Sequence, residues 1–176
     1  MHLPTASSQR DPVWIHVGTL LDGTAATPAR DAHVVYDREC IRFVGRDGQT
    51  PPRELVRAGQ VVPDLRAPDA TLLPGLIEAH AHLFLEGGEL NLDRRAEYLK
   101  QDAAGLLAAA KTRLEKLVRL GVTAVRDAGD KDGVGLALSK LNRQAERPLM
   151  PYLDSPGAAI HHRGRYGSFM GGALED

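Results

Sequence analysis

Apolar and polar residues alternate in short runs over the first part of the chain, from Pro12 to about Leu73. The runs are rich in β-branched residues and end at turn signals such as Asp22-Gly23, a pattern typical of short strands. The pattern predicts strands at VWIHVGTLL, AHVVY and CIRFVG, with further candidates at GQVVPDL and DATLL. Several short strands with tight turns indicate a small β-sandwich-like domain over 12–72, and the polar stretch 1–11 is expected to be a disordered tail.

After Pro74 the pattern changes to an alternation of strands and helices. The apolar segment GLIEAHAHLFL predicts a first strand, and apolar residues at spacings of three and four predict one helix from Arg94 to Leu120, closed by Gly121. VTAVRDAG predicts a second strand, and LMPYLDS a third. Between them we expect a helix over Val134 to Ala145, capped by Asp130 or Asp132 and stopped by Pro148. The glycine-rich residues 156–176 show no periodicity and predict a long loop.

This alternation implies right-handed crossovers and a parallel sheet. A closed eight-unit barrel takes roughly 250 residues, and only about a hundred follow Pro74. The predicted fold is therefore α/β: a partial (β/α)₈ TIM-type barrel of three βα units over 73–176, with the small β-domain before it. The alternative is a three-stranded α/β layer, which leaves its edge strands unpaired.

The composition of the chain excludes several classes of partner and of metal site. The net charge is −1 with a pI near 6.7, so we expect no nucleic acid and no anionic membrane as a partner. A single cysteine, Cys40, excludes an intramolecular disulfide and a cysteine-rich zinc site. The expected compartment is the cytoplasm, because the N-terminus lacks the apolar core of a signal peptide. One face of the first predicted helix is expected to be exposed to solvent, because it carries the cations Lys111, Arg113, Lys116 and Arg119.

Two histidines stand at the end of the most apolar segment. Side chains alternate along a strand, so Glu78, His80 and His82 share one face of the first strand after Pro74. Three ionisable groups on one face of a buried strand are costly unless something satisfies them, and a divalent cation held by two neutral imidazoles does so. The carboxyl end of a barrel strand is also where barrel active sites lie.

The segment LLPGLIEAHAHL resembles the first-strand signature of the metal-dependent amidohydrolase superfamily, Pro-Gly-(apolar)-(apolar)-Asp-x-His-x-His. The segments GTLLDGT and IRFVG look like the small β-domain of these enzymes. LGVTAVRDAGD resembles the second-strand segment of the imidazolonepropionase-like and prolidase-like branch. The similarity extends from Val13 to Ser155 and corresponds to the N-terminal portion of such a protein.

The resemblance implies a hydrolase with one or two divalent metals, zinc first among them, in which His80 and His82 match two ligands. Metal-bound water would attack a carbon bonded to nitrogen in a cyclic amide, amide or amidine, or in a dipeptide. Glu78 stands where the family has Asp, as a ligand or as a residue supporting one. The family's other ligands and its general base come from later strands, so no catalytic residue is identified here. We expect little or no activity from this chain alone.

The other candidate residues are weaker. Asp127, at the end of the second strand, is expected to form a hydrogen bond or an ion pair with Arg126 or a neighbouring loop, or else to support or ligate the metal. Loop residues on the active-site side, one of the two histidines pointing inward, are expected to contact a small-molecule substrate: His161, His162, Arg163, Arg165 and Tyr166.

Two other interpretations stay open. In the first, the chain is a non-enzymatic fragment or a subunit of a split enzyme. Its open barrel edges would then bind a completing partner chain or a second copy of the same chain. Alternatively, it is a small metal-binding module that uses Glu78, His80, His82 and one loop histidine.

Overall fold

The computed structural model describes residues 3–4, 11–130, 132–144, 150–165, 167, 169–171 and 173–174. The chain divides into two compact units, Met1–Pro74 and Gly75–Asp176. The tail predicted over 1–11 falls mainly outside the described residues. No helix among the described segments is long and apolar enough to cross a membrane.

The first unit contains a four-stranded sheet. Its strands are β1 at Val13–Leu20, β2 at Ala29–Tyr36, β3 at Ile41–Gly45 and β4 at Leu65–Leu72, in the order β3-β2-β1-β4. Strand β1 pairs antiparallel with β2 and parallel with β4, while β2 pairs antiparallel with β3. A 3₁₀ turn at Arg53–Leu55 lies between β3 and β4.

One face of this sheet forms an apolar core. Alternate residues of β1, Val13, Ile15 and Val17, pack with Ala32 and Val34 of β2, as the period of two along a strand requires. The described part of this unit holds this one sheet, so the β-sandwich stays a prediction.

The predicted strand at GQVVPDL is wrong. Residues 59–64 form a turn and extended coil before β4. The Gln60 side chain donates to the carbonyl of Val62 and to Asp64, and Pro63 has no N–H to give to a ladder. Local hydrogen bonds therefore hold this segment in place of a separate strand, and the Asp64 amide donates to the Trp14 carbonyl of β1 at 2.8 Å just before β4 begins.

The second unit is built around a three-stranded parallel sheet. Its strands are β5 at Leu76–Ala81, β6 at Val122–Asp127 and β7 at Tyr152–Asp154, in the order β5-β6-β7. The helices are α1 at Leu92–Leu99, α2 at Ala103–Arg119 and α3 at Val134–Gln144. Helix α2 packs on the sheet through Leu106, Ala110 and Leu114, which meet Val125 and Leu153 of the sheet in one core.

The single helix predicted over Arg94–Leu120 is wrong, because two helices occupy this stretch. Asn91 caps α1 by accepting hydrogen bonds from the amides of Asp93 and Arg94. Asp102 caps α2 by accepting from the Gly105 amide at 2.8 Å. A capping aspartate has extended backbone angles, which interrupt the helix even though the apolar period continues through it. Gly121 follows α2 with φ 86°, as a helix C′ glycine does.

Helix α3 is confirmed, and Asp130 rather than Asp132 caps it. The Asp130 carboxylate accepts hydrogen bonds from the amides of Val134 at 2.9 Å and Gly135 at 2.8 Å. The predicted end of this helix, Ala145 to Pro148, lies outside the described residues.

The glycine-rich tail departs from its prediction. Instead of a continuous loop, it contains two short parallel strands, β8 at His161–His162 and β9 at Ala173–Leu174. Two-residue strands are too short to show a period, so the pattern of apolar residues could not reveal them.

Candidate metal site

Strand β5 carries the two predicted metal ligands at its carboxyl end. It is an edge strand of the described sheet, bonded on one side to β6. Glu78 and His80 are exposed, and His82, just beyond the strand, is half-buried. In the described chain β5 is exposed along most of its length, and even Ile77 is 72% exposed.

The two imidazoles lie side by side. Their ring centroids are 5.2 Å apart and the rings are nearly perpendicular. Nδ1 of His82 lies 3.0 Å from the carbonyl oxygen of Gly129. A carbonyl oxygen only accepts hydrogen bonds, so Nδ1 carries the hydrogen, and Nε2 of the neutral ring keeps its lone pair. This hydrogen bond thus orients the His82 ring and does not use the Nε2 lone pair.

Glu78 makes a local contact. One of its carboxylate oxygens accepts a hydrogen bond of 3.0 Å from the backbone amide of His80. This bond holds the carboxylate along the strand, next to the first histidine of the pair. The structure therefore places Glu78 beside His80.

Asp127 is 1% exposed at the end of β6. It accepts a hydrogen bond from the Ser155 hydroxyl at 2.8 Å and another from the Leu83 amide at 3.4 Å. Burial raises the pKa of its carboxyl group, and the two hydrogen bonds partly offset that rise. The predicted alternative of an ion pair with Arg126 is wrong, because the Arg126 guanidinium pairs with Asp154.

Helix α3 approaches this buried carboxylate closely, and Gly135 makes that approach possible. A Cβ at Gly135 would lie 2.0 Å from Oδ2 of Asp127 and 2.6 Å from Oγ of Ser155. Glycine at the start of α3 therefore lets the helix close over Asp127. The strand pattern gave no signal of this contact, since it joins residues eight positions apart through a turn.

Arg113 is a second residue that the sequence did not reveal. It was expected to solvate α2, yet it is half-buried and donates a hydrogen bond of 2.8 Å to the carbonyl oxygen of Leu83. Its guanidinium also lies over the Tyr98 ring, 5.1 Å from the centroid. The expectation was wrong because helical spacing shows a face but not the loop packed against it.

The loop after β7 begins close to the residue that holds His82. Asp130 bridges to Ala158, and the Ala159 amide donates to the carbonyl of Asp130 at 3.1 Å. Gly129 is packed tightly there, since a Cβ on it would lie 3.1 Å from Ala159. The start of this loop therefore lies on the His82 side of the sheet.

The candidate substrate residues of this loop are placed as follows. His161 is half-buried, while His162, Arg163 and Arg165 are exposed. Nδ1 of His162 donates to the carbonyl oxygen of Arg163 at 2.8 Å. The two histidines thus differ in exposure, as neighbours on a strand do. Tyr166 lies outside the described residues, and a substrate role for this set stays a prediction.

No family model matches the chain, but individual proteins do. It is 32% identical over 145 residues to imidazolonepropionase from Pseudomonas aeruginosa, covering 70% of this chain and 34% of that protein. Ochratoxinase from A. niger superposes with a TM-score of 0.67 at 24% identity, over 90% of this chain and 34% of that one. A Xaa-Pro dipeptidase superposes with a TM-score of 0.63 at 20% identity, over 85% and 34% of the two chains.

The α/β architecture is therefore shared with both superposed structures. The chain belongs to the amidohydrolase superfamily, as an imidazolonepropionase-like member. It spans about a third of the length of the curated relatives it matches. The resemblance predicted from the first-strand motif is confirmed.

Proposed function

We propose that His80 and His82 are two ligands of a divalent metal, zinc first, in a hydrolase that acts on a carbon–nitrogen bond of a small molecule. The bond belongs to a cyclic amide, an amide, an amidine or a dipeptide. The observation that carries the proposal is the hydrogen bond from Nδ1 of His82 to the carbonyl oxygen of Gly129. A second hydrogen bond of this kind, often to a backbone carbonyl, is what orients metal-ligating histidines in proteins.

The surroundings of His82 fit a metal. Nε2 is left with its lone pair, and the His80 ring lies alongside with its centroid 5.2 Å away. The backbone just after His82 is held on both sides, because the Leu83 amide donates to Asp127 and the Leu83 carbonyl accepts from Arg113. A ligand fixed in this way loses little conformational freedom when a metal binds.

A bound metal would supply a nucleophilic hydroxide near neutral pH and polarise the substrate carbonyl. A catalytic zinc takes three protein ligands and keeps one open position. In the described part of the chain, the one group of three side chains close enough to hold an ion is elsewhere and includes neither histidine. We therefore propose that further ligands and the general base come from polypeptide outside these 176 residues, and that this chain alone is weakly active or inactive.

We further propose that the parallel sheet is three strands of an eight-stranded barrel, with the four-stranded unit as its β-domain. Two observations support this. In the described sheet, β5 and β7 each have one unpaired edge, and exposed apolar residues lie on them: Ile77 on β5 and Tyr152 on β7. The matched relatives are also about three times longer. The missing strands would be supplied by a longer chain or by a completing partner chain.

Metal titration tests the ligand proposal. We expect the double variant His80→Ala/His82→Ala to lose one Co²⁺ or Zn²⁺ site that the parent chain shows by absorption spectroscopy or calorimetry. The matched control, His161→Gln/His162→Gln, should retain that site. Equal binding by the parent and the first double variant would contradict the proposal. Loss of the site in the control would instead favour the small metal-binding module.

Activity tests the second part. With metal added, the 176-residue chain should not measurably hydrolyse a panel of cyclic amides, N-acyl amino acids and dipeptides ending in proline. Robust hydrolysis at one metal per chain, lost in the His80→Ala/His82→Ala variant, would show that the site is complete without further strands.

A further inference from the structure

A second cluster of ligand-type side chains lies on the first unit, on the face of its sheet opposite the apolar core. His16 of β1 and His33 of β2 are direct partners in the antiparallel register. Both are buried, at 7% and 8% exposure. Their rings stack with centroids 4.5 Å apart and an interplanar angle of 20°. Two imidazoles are thus held side by side on a rigid sheet, where the strand ladder fixes their separation.

Asp31 completes the group and opens it to solvent. It precedes His33 by two residues on β2, and its carboxylate lies near both imidazoles. One of its carboxylate oxygens is 2.5 Å from Nε2 of His16, and its side chain is 61% exposed. The exposed carboxylate therefore gives the cluster one ligand that faces solvent.

The spacing suits a metal. One ligand atom from each of the three residues lies within 4.8 Å of the other two. Some point is therefore within about 2.8 Å of all three, and side-chain shifts of under about 1 Å give zinc–ligand bonds near 2.0–2.2 Å. Two imidazoles with one carboxylate suit zinc and neighbouring transition metals, while calcium and magnesium prefer all-oxygen sites.

We propose that His16, Asp31 and His33 form a second metal-binding site, selective for a borderline divalent cation such as Zn²⁺ over Ca²⁺ and Mg²⁺. This site is separate from the His80 and His82 pair and does not depend on the function proposed above. With three protein ligands it leaves room for at least one water molecule.

Two hydrogen bonds compete with the metal, and together they involve all three ligands. The indole Nε1–H of Trp14 donates to Nδ1 of His33 at 3.0 Å, and Nε2 of His16 is bonded to Asp31. Coordination through Nε2 of a neutral His33 moves its hydrogen to Nδ1, which breaks the bond from Trp14. Each lost hydrogen bond weakens binding by roughly tenfold. Together the two losses lower the Zn²⁺ affinity by roughly a hundredfold.

This competition provides a built-in reporter. Trp14 is the only tryptophan in the chain. Metal binding at His33 should therefore shift the single indole N–H resonance in an NMR spectrum and change the tryptophan fluorescence. Because His80 and His82 are both replaced in the test below, the indole signal there reports on this cluster.

The test uses the full 176-residue chain with His80→Ala/His82→Ala, which removes the other proposed site. We expect one Zn²⁺ per chain, measured by competition with a chromophoric chelator, together with the shift of the indole resonance. Ca²⁺ and Mg²⁺ at the same concentration should cause neither change. Failure of the function proposed for His80 and His82 would leave this result unaffected.

Variants of the cluster complete the experiment. Asp31→Asn should weaken Zn²⁺ binding at least tenfold, and its exposed position keeps the fold intact. His33→Gln should abolish binding. All of these variants are made in the His80→Ala/His82→Ala chain. The matched controls are Asp69→Asn, an exposed acid on β4 of the same sheet, and His162→Gln, and both should bind Zn²⁺ as that chain does. Unchanged Zn²⁺ affinity in Asp31→Asn and His33→Gln, or no Zn²⁺ bound by the His80→Ala/His82→Ala chain, would overturn the proposal.

Discussion

The guanidinium of Arg113, on helix α2, donates a hydrogen bond of 2.8 Å to the carbonyl oxygen of Leu83, the residue that follows His82. The amide of the same residue donates to Asp127 of strand β6 at 3.4 Å. The chain is therefore held between a helix and a strand at the point where it leaves the proposed metal ligand. This relationship links the stability of the second unit to the position of His82.

Replacing Arg113 by methionine should show this link. The variant keeps an unbranched side chain but leaves the Leu83 carbonyl without its charged donor, which costs about 1.5–3 kcal/mol for hydrogen bonds of this kind. We expect a lower free energy of unfolding in urea and several-fold weaker Co²⁺ binding at His80 and His82. The matched control is Arg119→Met, an exposed cation in the last turn of the same helix. If stability falls while metal affinity stays unchanged, Arg113 supports the fold but does not position His82.

The hydroxyl of Ser155 is expected to matter because Asp127 is buried. Ser155→Ala leaves one oxygen of that carboxylate without its 2.8 Å hydrogen bond, and an unsatisfied buried acceptor costs about 1–3 kcal/mol. Urea denaturation at neutral pH should show a loss of that size. Thr123→Val is the comparison, because the Thr123 hydroxyl is exposed and lies 3.5 Å from its acceptor. A similar change in both variants would mean that the Asp127 contact has no special role.

Gly135 should tolerate no side chain. A Cβ there would meet Oδ2 of Asp127 at 2.0 Å and Oγ of Ser155 at 2.6 Å, so Gly135→Ala must push α3 away from β6. We expect a loss of about 1–3 kcal/mol, as overpacking of a well-filled site costs. Gly105→Ala in α2 is the control, since the nearest atom to its Cβ is the end of a flexible side chain at 3.1 Å. This control should be neutral or stabilising by up to about 1 kcal/mol. Thermal unfolding followed by circular dichroism separates the two.

Asp37, in the turn after β2, should make the stability of the fold depend on pH in the acidic range. The pKa of Asp37 is lowered to about 2, first by the hydrogen bond from the Cys40 amide and then by Arg42. Because the folded-state pKa lies below the ordinary value, the stabilisation is fully present above about pH 4 and disappears as the pH falls through 2. ¹³C NMR of the side-chain carboxyl carbon should show Asp37 titrating near pH 2.

The variant Asp37→Asn should be less stable than the parent at pH 5, and the difference should shrink towards pH 2, where the parent carboxyl is also uncharged. A difference that stays constant over this range would mean that the turn is stabilised by the shape of the side chain and not by its charge.

The sequence was sufficient for features that repeat locally or that a motif encodes. Alternation predicted β1, β2 and β3, and the change of period after Pro74 predicted the parallel strands β5, β6 and β7. The Pro-Gly start and the His80-x-His82 spacing indicated the superfamily. In contrast, the single helix expected over Arg94–Leu120 failed at Asp102, because the apolar period continues across a cap that depends on one residue's backbone angles.

Tertiary structure alone decided which distant groups meet. Whether Asp127 binds Ser155 or Arg126, and whether Arg113 reaches solvent or the Leu83 carbonyl, depends on how α2 and β7 pack against β6. The pairing of His16 with His33 depends on the register of the two strands. A shift of one residue in this register would place the two side chains on opposite faces of the sheet. Local patterns fix which face a side chain occupies, because that follows from backbone geometry. They do not fix its partner, because that follows from strand order and packing across the chain.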